Sequence, residues 1–267
     1  MDNMEKLVRA RRSVRTFDGR ELTEDDKEKL YAYMETIDTP YGLPIEFRLL
    51  PKMGCPVVVG TELYVGAKIK AAPHVNEAFG YAFEKLVLYA QSLGIGTVWI
   101  GGTMDRGAFE KAMELSEDEV MPCVSPLGYP AKKMSVREKM MRKGVRADSR
   151  LAFEEVAYWN GFEQPLTSDA AGKLFLPLEM VRLAPSAVNK QPWRMVVMDG
   201  IVHFYLRRSK NFNGGKLDMQ RIDMGIALCH FELTAKEQGV HTEFVIKEPN
   251  IPCNDGMEYI ASYKFKI

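Results

Sequence analysis

The chain repeats itself. Displaced by 145 positions without a gap, Gly80, Ala82, Leu88, Ala90, Gly94 and Thr97 fall on Gly225, Ala227, Leu233, Ala235, Gly239 and Thr242. Displaced by 144, Leu22, Thr23 and Leu30 fall on Leu166, Thr167 and Leu174. Self-similarity of this kind constrains architecture before any local reading does. It divides the 267 residues into two related halves, 1–150 and 151–267.

Local patterns supply the elements. Thr23 precedes Glu24, Asp25 and Asp26, which suits the positive end of a helix dipole, and Leu30, Met34 and Ile37 continue the apolar face. Over 80–93, Ala82, Phe83, Leu86, Val87 and Ala90 recur at helical spacing, and Gly94 stands at the stop. The runs 47–50, 57–59 and 97–100 read as strands, and the Lys- and Arg-rich stretch 132–150 reads as the connector. No G-x-G-x-x-G opens a helix after a strand, so a parallel dinucleotide-binding sheet has no anchor. The expected class is α+β, with a mainly antiparallel sheet in each half and helices packed between the halves.

Charge and composition exclude several functions. Lys+Arg and Asp+Glu both number 36, which leaves no overall field to draw nucleic acid or an anionic membrane. Residues 132–150 also lack the interleaved aromatics of a nucleic-acid groove. Cys55, Cys123, Cys229 and Cys253 form no C-x-x-C, and the four histidines do not cluster with them, so no metal site is expected. No apolar run approaches the roughly 20 residues of a membrane span. The opening Met-Asp-Asn-Met-Glu-Lys has no apolar signal region, and the expectation is a soluble, cytoplasmic protein.

Two segments carry candidate chemistry. Arg11-Arg12-Ser13-Val14-Arg15 sets three guanidiniums and a hydroxyl in five residues, a grip for phosphate oxygens and a pyrimidine edge, or else a solvated basic turn. Ala184-Pro185-Ser186-Ala187-Val188-Asn189-Lys190-Gln191-Pro192-Trp193 places Ser186, Asn189 and Gln191 on a Pro-bounded turn, able to bond in plane to a flat heterocycle. The same turn also reads as a helix stop with Trp193 entering the core.

Together with Leu93-Gly94-Ile95-Gly96-Thr97-Val98-Trp99-Ile100-Gly101-Gly102, with Leu127-Gly128-Tyr129-Pro130, and with Arg150 ahead of Glu154-Glu155-Val156, these motifs resemble the nitroreductase family over nearly the whole chain. The order departs from that family. There the Pro-Ser-x-x-Asn turn follows Arg-Arg-Ser within one half; here it stands in the second half, as in a fused, double-length branch. The resemblance implies a nitroreductase-like fold whose tandem halves form an intramolecular pseudo-dimer, in place of a homodimer with flavin at the subunit interface. It also implies FMN as cofactor, NADH or NADPH as reductant, and a nitroaromatic, quinone or similar small acceptor. Arg11, Arg12 and Arg150 would hold the phosphate, and Ser13 and Arg15 the ribityl chain or pyrimidine edge. Gly101 and Gly102 would bring backbone N–H groups to the N5 and O4 edge, and Pro185, Ser186, Ala187, Asn189 and Gln191 would meet the ring. The chemistry would belong to the flavin, and no acid–base pair stands out.

The repeat adds a pattern of loss. Pro185 to Asn189 fall on Pro40-Tyr41-Gly42-Leu43-Pro44, without the Asn, while Arg11 to Arg15 fall on Glu155-Val156-Ala157-Tyr158-Trp159, without a cation. Each half lacks what the other keeps, so one site per chain is expected. Other readings under the same resemblance are a specialised relative acting in reductive dehalogenation or flavin fragmentation, and a flavin-binding or flavin-less protein used for storage or interaction.

Overall fold

The computed structural model describes residues 3–210, 217–253 and 256–266. The chain forms two compact units, one of Ala10–Ala147, the other of Asp2–Arg9 with Asp148–Ile267. Helix α1 (Met4–Ala10) accordingly begins in the later unit, where the Met4 N–H is held by both carboxylate oxygens of Glu237 at 2.9 Å.

The first unit runs α2 (Glu24–Met34), β1 (Ile45–Pro51), β2 (Leu63–Lys70), α3 (Val75–Ser92), α4 (Arg106–Ala112), β3 (Glu119–Val120), β4 (Val124–Leu127) and α5 (Val136–Gly144). Thr23 caps α2 as its sequence requires, its hydroxyl accepting from Asp26 N at 3.1 Å. Strand β2 is the centre of the sheet: β1, β3 and β4 all pair with it antiparallel. Its Tyr64–Ile69 stretch is buried on both faces, and the one cation there, Lys68, is matched by Glu46 at 3.4 Å and Glu119 at 3.2 Å. Tyr33 of α2 stacks on Tyr89 of α3 with ring centres 3.9 Å apart. Val14, Phe17, Tyr64, Val98, Phe109 and Val124 belong to the core beneath.

Three readings of the sequence are corrected here. Residues 57–59 and 97–100 are not continuous strands. Val59 and Thr97 make single parallel bridges, to Thr16 and Ser13, and Ile100 bridges Val124. Glycines at 54, 60, 94, 96, 101 and 102 turn the chain on either side of these short runs, so neither extends into a ladder. The stretch 132–150 is not only a connector: Ser135 caps α5 within it, its Oγ accepting from Glu138 N at 3.1 Å.

The second unit runs β5 (Ala157–Trp159), α6 (Ser168–Ala171), α7 (Phe175–Leu183), β6 (Trp193–Met198), β7 (Ile201–Arg207), α8 (Met219–Glu237), β8 (His241–Val245) and β9 (Met257–Lys266). Its sheet has the order β5-β6-β7-β9-β8, antiparallel except for β5 on β6. His230 of α8 bonds through Nδ1 to Met180 O of α7 at 2.9 Å.

The duplicated positions behave alike. Thr167 Oγ1 accepts from Ala170 N at 3.3 Å, as Thr23 does for Asp26. Helix α3 ends at Ser92 and α8 at Glu237, and each is followed by a glycine in the left-handed region, Gly94 at φ +74° and Gly239 at φ +69°. The fold class is α+β with predominantly antiparallel sheets.

Candidate functional site

In the first unit, segment 11–15 is laid against two of the other motifs. Val14 N donates to Thr97 O at 2.8 Å, and Val59 N donates to Arg15 O at 3.0 Å. Phe17 bridges Pro130, and Gly96 bridges Gly128. Segments 11–15, 93–102 and 127–130, distant in sequence, therefore lie side by side. Val14 is buried in the core; because successive side chains of extended backbone point to opposite sides, Ser13 and Arg15 face away from it.

Two carboxylates of this unit, Glu138 and Glu84, are buried. Glu138 of α5 accepts through Oε2 from Arg15 N at 3.3 Å and from Thr16 Oγ1 at 2.7 Å, while Oε1 lies 3.5 Å from Arg12 Nη1. Glu84 of α3 accepts from Trp99 Nε1 at 3.0 Å. Burial lowers the pKa of Arg11, Glu84 opposing it and Arg142 adding to it. Burial likewise lowers Arg15, with Glu138 opposing and Arg142 adding. Arginine keeps its charge at such positions, so the direction of both shifts reports the cost of burying the cation. Arg11 Nε, Arg12 Nη1 and Arg15 Nε are buried with no hydrogen-bond partner among the described residues. At the neighbouring turn, Gly101 O accepts from Arg106 Nη2 at 2.8 Å, and a Cβ added to Gly102 would meet nothing within 4 Å.

In the second unit the Pro185 turn is a hydrogen-bonded knot. Ser186 Oγ accepts from Gln191 N at 2.9 Å, and Ala187 N donates to Asp223 Oδ1 of α8 at 2.9 Å. Val188, Asn189 and Gln191 all have positive φ, of 44°, 58° and 50°. A β-branched residue in that region is an outlier that only a constrained surrounding keeps in place. Asn189 accepts through Oδ1 from Arg150 Nη1 at 3.3 Å and donates through Nδ2 to Ser149 O at 3.1 Å. Gln191 Oε1 accepts from Leu151 N at 2.9 Å. Residues 149–151 thus strap the turn, with Arg150 bonded to Asn189 and to Leu183 O at 3.3 Å. Trp193 is fully buried. Burial lifts the Asp223 carboxyl well above the usual range, the Ala187 N–H opposing it and Asp218 adding to it.

Sequence reasoning did not find Glu84, Glu138 or Asp223. Ser135-Val136-Arg137-Glu138 has capping-box spacing and could have exposed α5. Glu84 and Asp223 are acids in otherwise apolar helical stretches, a signal that a cation or backbone donor is near.

Two units of antiparallel sheet and helix carrying these sites define an α+β protein with the nitroreductase fold. A crystal structure of a putative nitroreductase from Thermotoga maritima MSB8 is similar at a TM-score of 0.63, over 98% of this chain and 92% of that one, with 19% identity. The family model described as "Putative TM nitroreductase" matches residues 3–235, and the chain belongs to that family. A putative NADH dehydrogenase/NAD(P)H nitroreductase from Bacteroides thetaiotaomicron VPI-5482 is similar over 51% of this chain and 91% of its own, at 18% identity and a TM-score of 0.43. An FMN-dependent nitroreductase from Clostridium difficile R20291 is similar over 51% and 94%, at 16% identity and a TM-score of 0.41. No curated protein matches the sequence. Among the described residues no helix is long and apolar enough to cross a membrane, and no group of three or more His, Cys, Asp and Glu could hold a metal ion.

Proposed function

We propose that the chain is an FMN-dependent oxidoreductase that takes electrons from NADH or NADPH and passes them to a nitroaromatic, quinone or similar flat acceptor, with one FMN per chain. Buried guanidinium nitrogens that make no hydrogen bond among the described residues, on Arg11, Arg12 and Arg15, carry this proposal. A buried donor without an acceptor costs free energy, and a phosphate group supplies acceptor oxygens and negative charge together. The residues present fit that group. Family membership supplies the redox chemistry, and the complementary losses at 40–44 and 155–159 support a single site using segment 11–15 from one half and the Pro185 turn from the other.

Bound FMN would supply two-electron transfer between a nicotinamide and the acceptor. The chain's own work is to bind and orient. Arg11 and Arg12 would hold the phosphate, and Ser13 and Arg15 the ribityl chain or pyrimidine edge, where a cation favours the reduced, negatively charged ring. Gly101 and Gly102 would offer backbone N–H groups at the open turn. Pro185, Ser186, Ala187, Asn189 and Gln191 would meet the ring from a turn whose conformation Asp223 and the 149–151 strap hold in place. A phosphate role for Arg150 requires it to exchange its bond to Asn189.

The test is the absorption spectrum of the purified protein, followed by anaerobic addition of NADH and of NADPH. Yellow protein that releases FMN on heating and bleaches with either nucleotide supports the proposal. Flavin that is bound but not bleached by either would leave a flavin-storage or interaction role in its place.

A further inference from the structure

We infer that Arg106 is a positioning residue for the flavin edge: it fixes and polarises the Gly101–Gly102 peptide so that the Gly102 N–H is presented to N5 of the ring. The inference rests on reading the turn at 101–102 as a part of the chain that meets the ring. Arg106 opens α4, and its guanidinium donates to three backbone carbonyls on two separate segments. Nη2 reaches Gly101 O at 2.8 Å and Pro122 O at 3.1 Å, and Nη1 reaches Met121 O at 2.7 Å. The base of the side chain is tied down as well. Asp105 N donates to Gly54 O at 2.8 Å, and Asp105 Oδ1 caps the helix by accepting from Ala108 N at 3.1 Å.

The brace begins where the backbone pairing ends. Ile100 N donates to Val124 O at 2.9 Å and Val124 N to Ile100 O at 3.0 Å, and beyond them Pro122 has no N–H to extend the pairing. The rigid fork of Arg106 replaces that pairing and joins 101 to 121–122. One consequence is directional. In a trans peptide the carbonyl oxygen and the amide hydrogen point opposite ways, and the described residues contain no cis peptide. With Gly101 O held by Arg106, the Gly102 N–H is turned away from the guanidinium, and it makes no hydrogen bond among the described residues. Gly102 is exposed, and a Cβ added to it would meet nothing within 4 Å, so the edge of a flat ring has room to approach the backbone there. The other consequence is electrostatic. A cation bonded to the carbonyl end of a peptide polarises it and strengthens the donor at the amide end. A neutral, in-plane ring nitrogen such as N5 is an acceptor that suits a single strengthened N–H.

The test pairs FMN with 5-deaza-FMN, in which a C–H replaces N5 and cannot accept. Calorimetric titration of the flavin-free full chain with each would compare the wild type with Arg106→Gln, Arg106→Lys and the same-helix control Lys111→Ala. The wild type and the control are expected to bind FMN about fivefold or more tighter than the analogue, as one strengthened hydrogen bond provides. Arg106→Gln should weaken FMN by about that factor and leave 5-deaza-FMN within twofold, and Arg106→Lys should keep part of the preference. A role confined to stability would weaken both ligands equally, and that result would overturn the inference. A wild-type preference that survives in Arg106→Gln would overturn it while leaving the reading of the turn in place. Equal Kd values for the two ligands in the wild type, or no FMN bound at all, would overturn it together with that reading. The brace itself is checked without ligand: in Arg106→Gln the amides of Ile100 and Val124 should exchange hydrogen at least tenfold faster while those of α3 keep their rates. Unchanged exchange at Ile100 and Val124, or equal acceleration in α3, would refute it even in a chain that binds no flavin.

Discussion

Gly60→Ala should loosen the arginine segment without touching any arginine. Gly60 has φ +82°, and a Cβ built there stands 2.9 Å from the Phe17 carbonyl carbon and closer still to its oxygen. Non-bonded heavy atoms settle at about 3.5–4.0 Å, and both neighbours here are backbone, so no side chain can rotate aside. Relief requires the 59–60 turn or the 15–19 segment to move. That would strain three hydrogen bonds: Phe17 N to Val59 O at 2.9 Å, Val59 N to Arg15 O at 3.0 Å, and Gly19 N to Gly60 O at 3.2 Å. The left-handed conformation costs a non-glycine residue about 1–2 kcal/mol. Overpacking adds about 1–3 kcal/mol. A loss of about 2–4 kcal/mol is therefore expected, a large part of the roughly 5–15 kcal/mol of an ordinary domain. Urea unfolding should show a lower midpoint at unchanged slope, and FMN should bind more weakly because Arg15 is displaced. Stability within about 0.5 kcal/mol of the wild type would refute the packing described for this segment.

Gly102→Ala is the counterpart: a Cβ there meets open space, so stability should stay within about 0.5 kcal/mol while FMN affinity falls if the backbone at 102 approaches the ring, and equal affinity would remove Gly102 from the site. Arg11→Ala should weaken FMN by roughly 2 kcal/mol or more, whereas Glu155→Ala, at the duplicated position, should not act through direct contact; flavin fluorescence titration of the two variants decides. Asn189→Ala removes the bonds to Arg150 and Ser149 and should weaken FMN by about 1 kcal/mol or more, with an unchanged Kd counting against the turn's role. Asp223→Asn concerns pH. Burial raises the folded-state pKa of Asp223, so the native chain keeps a proton that the unfolded chain loses, and stability declines as pH climbs from the ordinary aspartate range towards the raised value. The Asn variant keeps an acceptor for Ala187 N and lacks this decline, so its stability relative to the wild type should improve as pH rises above about 4; parallel urea profiles would contradict the assignment.

Helices and their ends were legible because their signals are local. Thr23 and Thr167 cap, and Gly94 and Gly239 terminate, where side-chain chemistry alone demands it. Strand β2 was not legible. Gly66 and Lys68 interrupt its apolar pattern, and only the tertiary pairing of Lys68 with Glu46 and Glu119 makes that cation tolerable at the centre of a sheet. The bridges at Val59 and Thr97 looked like strands because their residues suit extended backbone, but their lengths are set by flanking glycines. The motif segments were readable as residue types, and their convergence was not, since it depends on contacts such as Val14 N to Thr97 O across more than eighty residues. Glu138 was hidden for the same reason, since Arg12, Arg15 and Thr16, which explain it, are far away in sequence, and Glu84 is explained by the Trp99 indole beyond its own helix.

The central claim is that one chain holds one FMN through Arg11, Arg12 and Arg15. It is tested most directly by titrating the flavin-free chain with FMN while its mass in solution is measured. One equivalent bound per chain, with the affinity lost in Arg11→Ala and with no need for two chains to associate, is the expected result. Two equivalents per chain, flavin taken up only when chains associate, or FMN bound equally by the Arg11→Ala variant would contradict it.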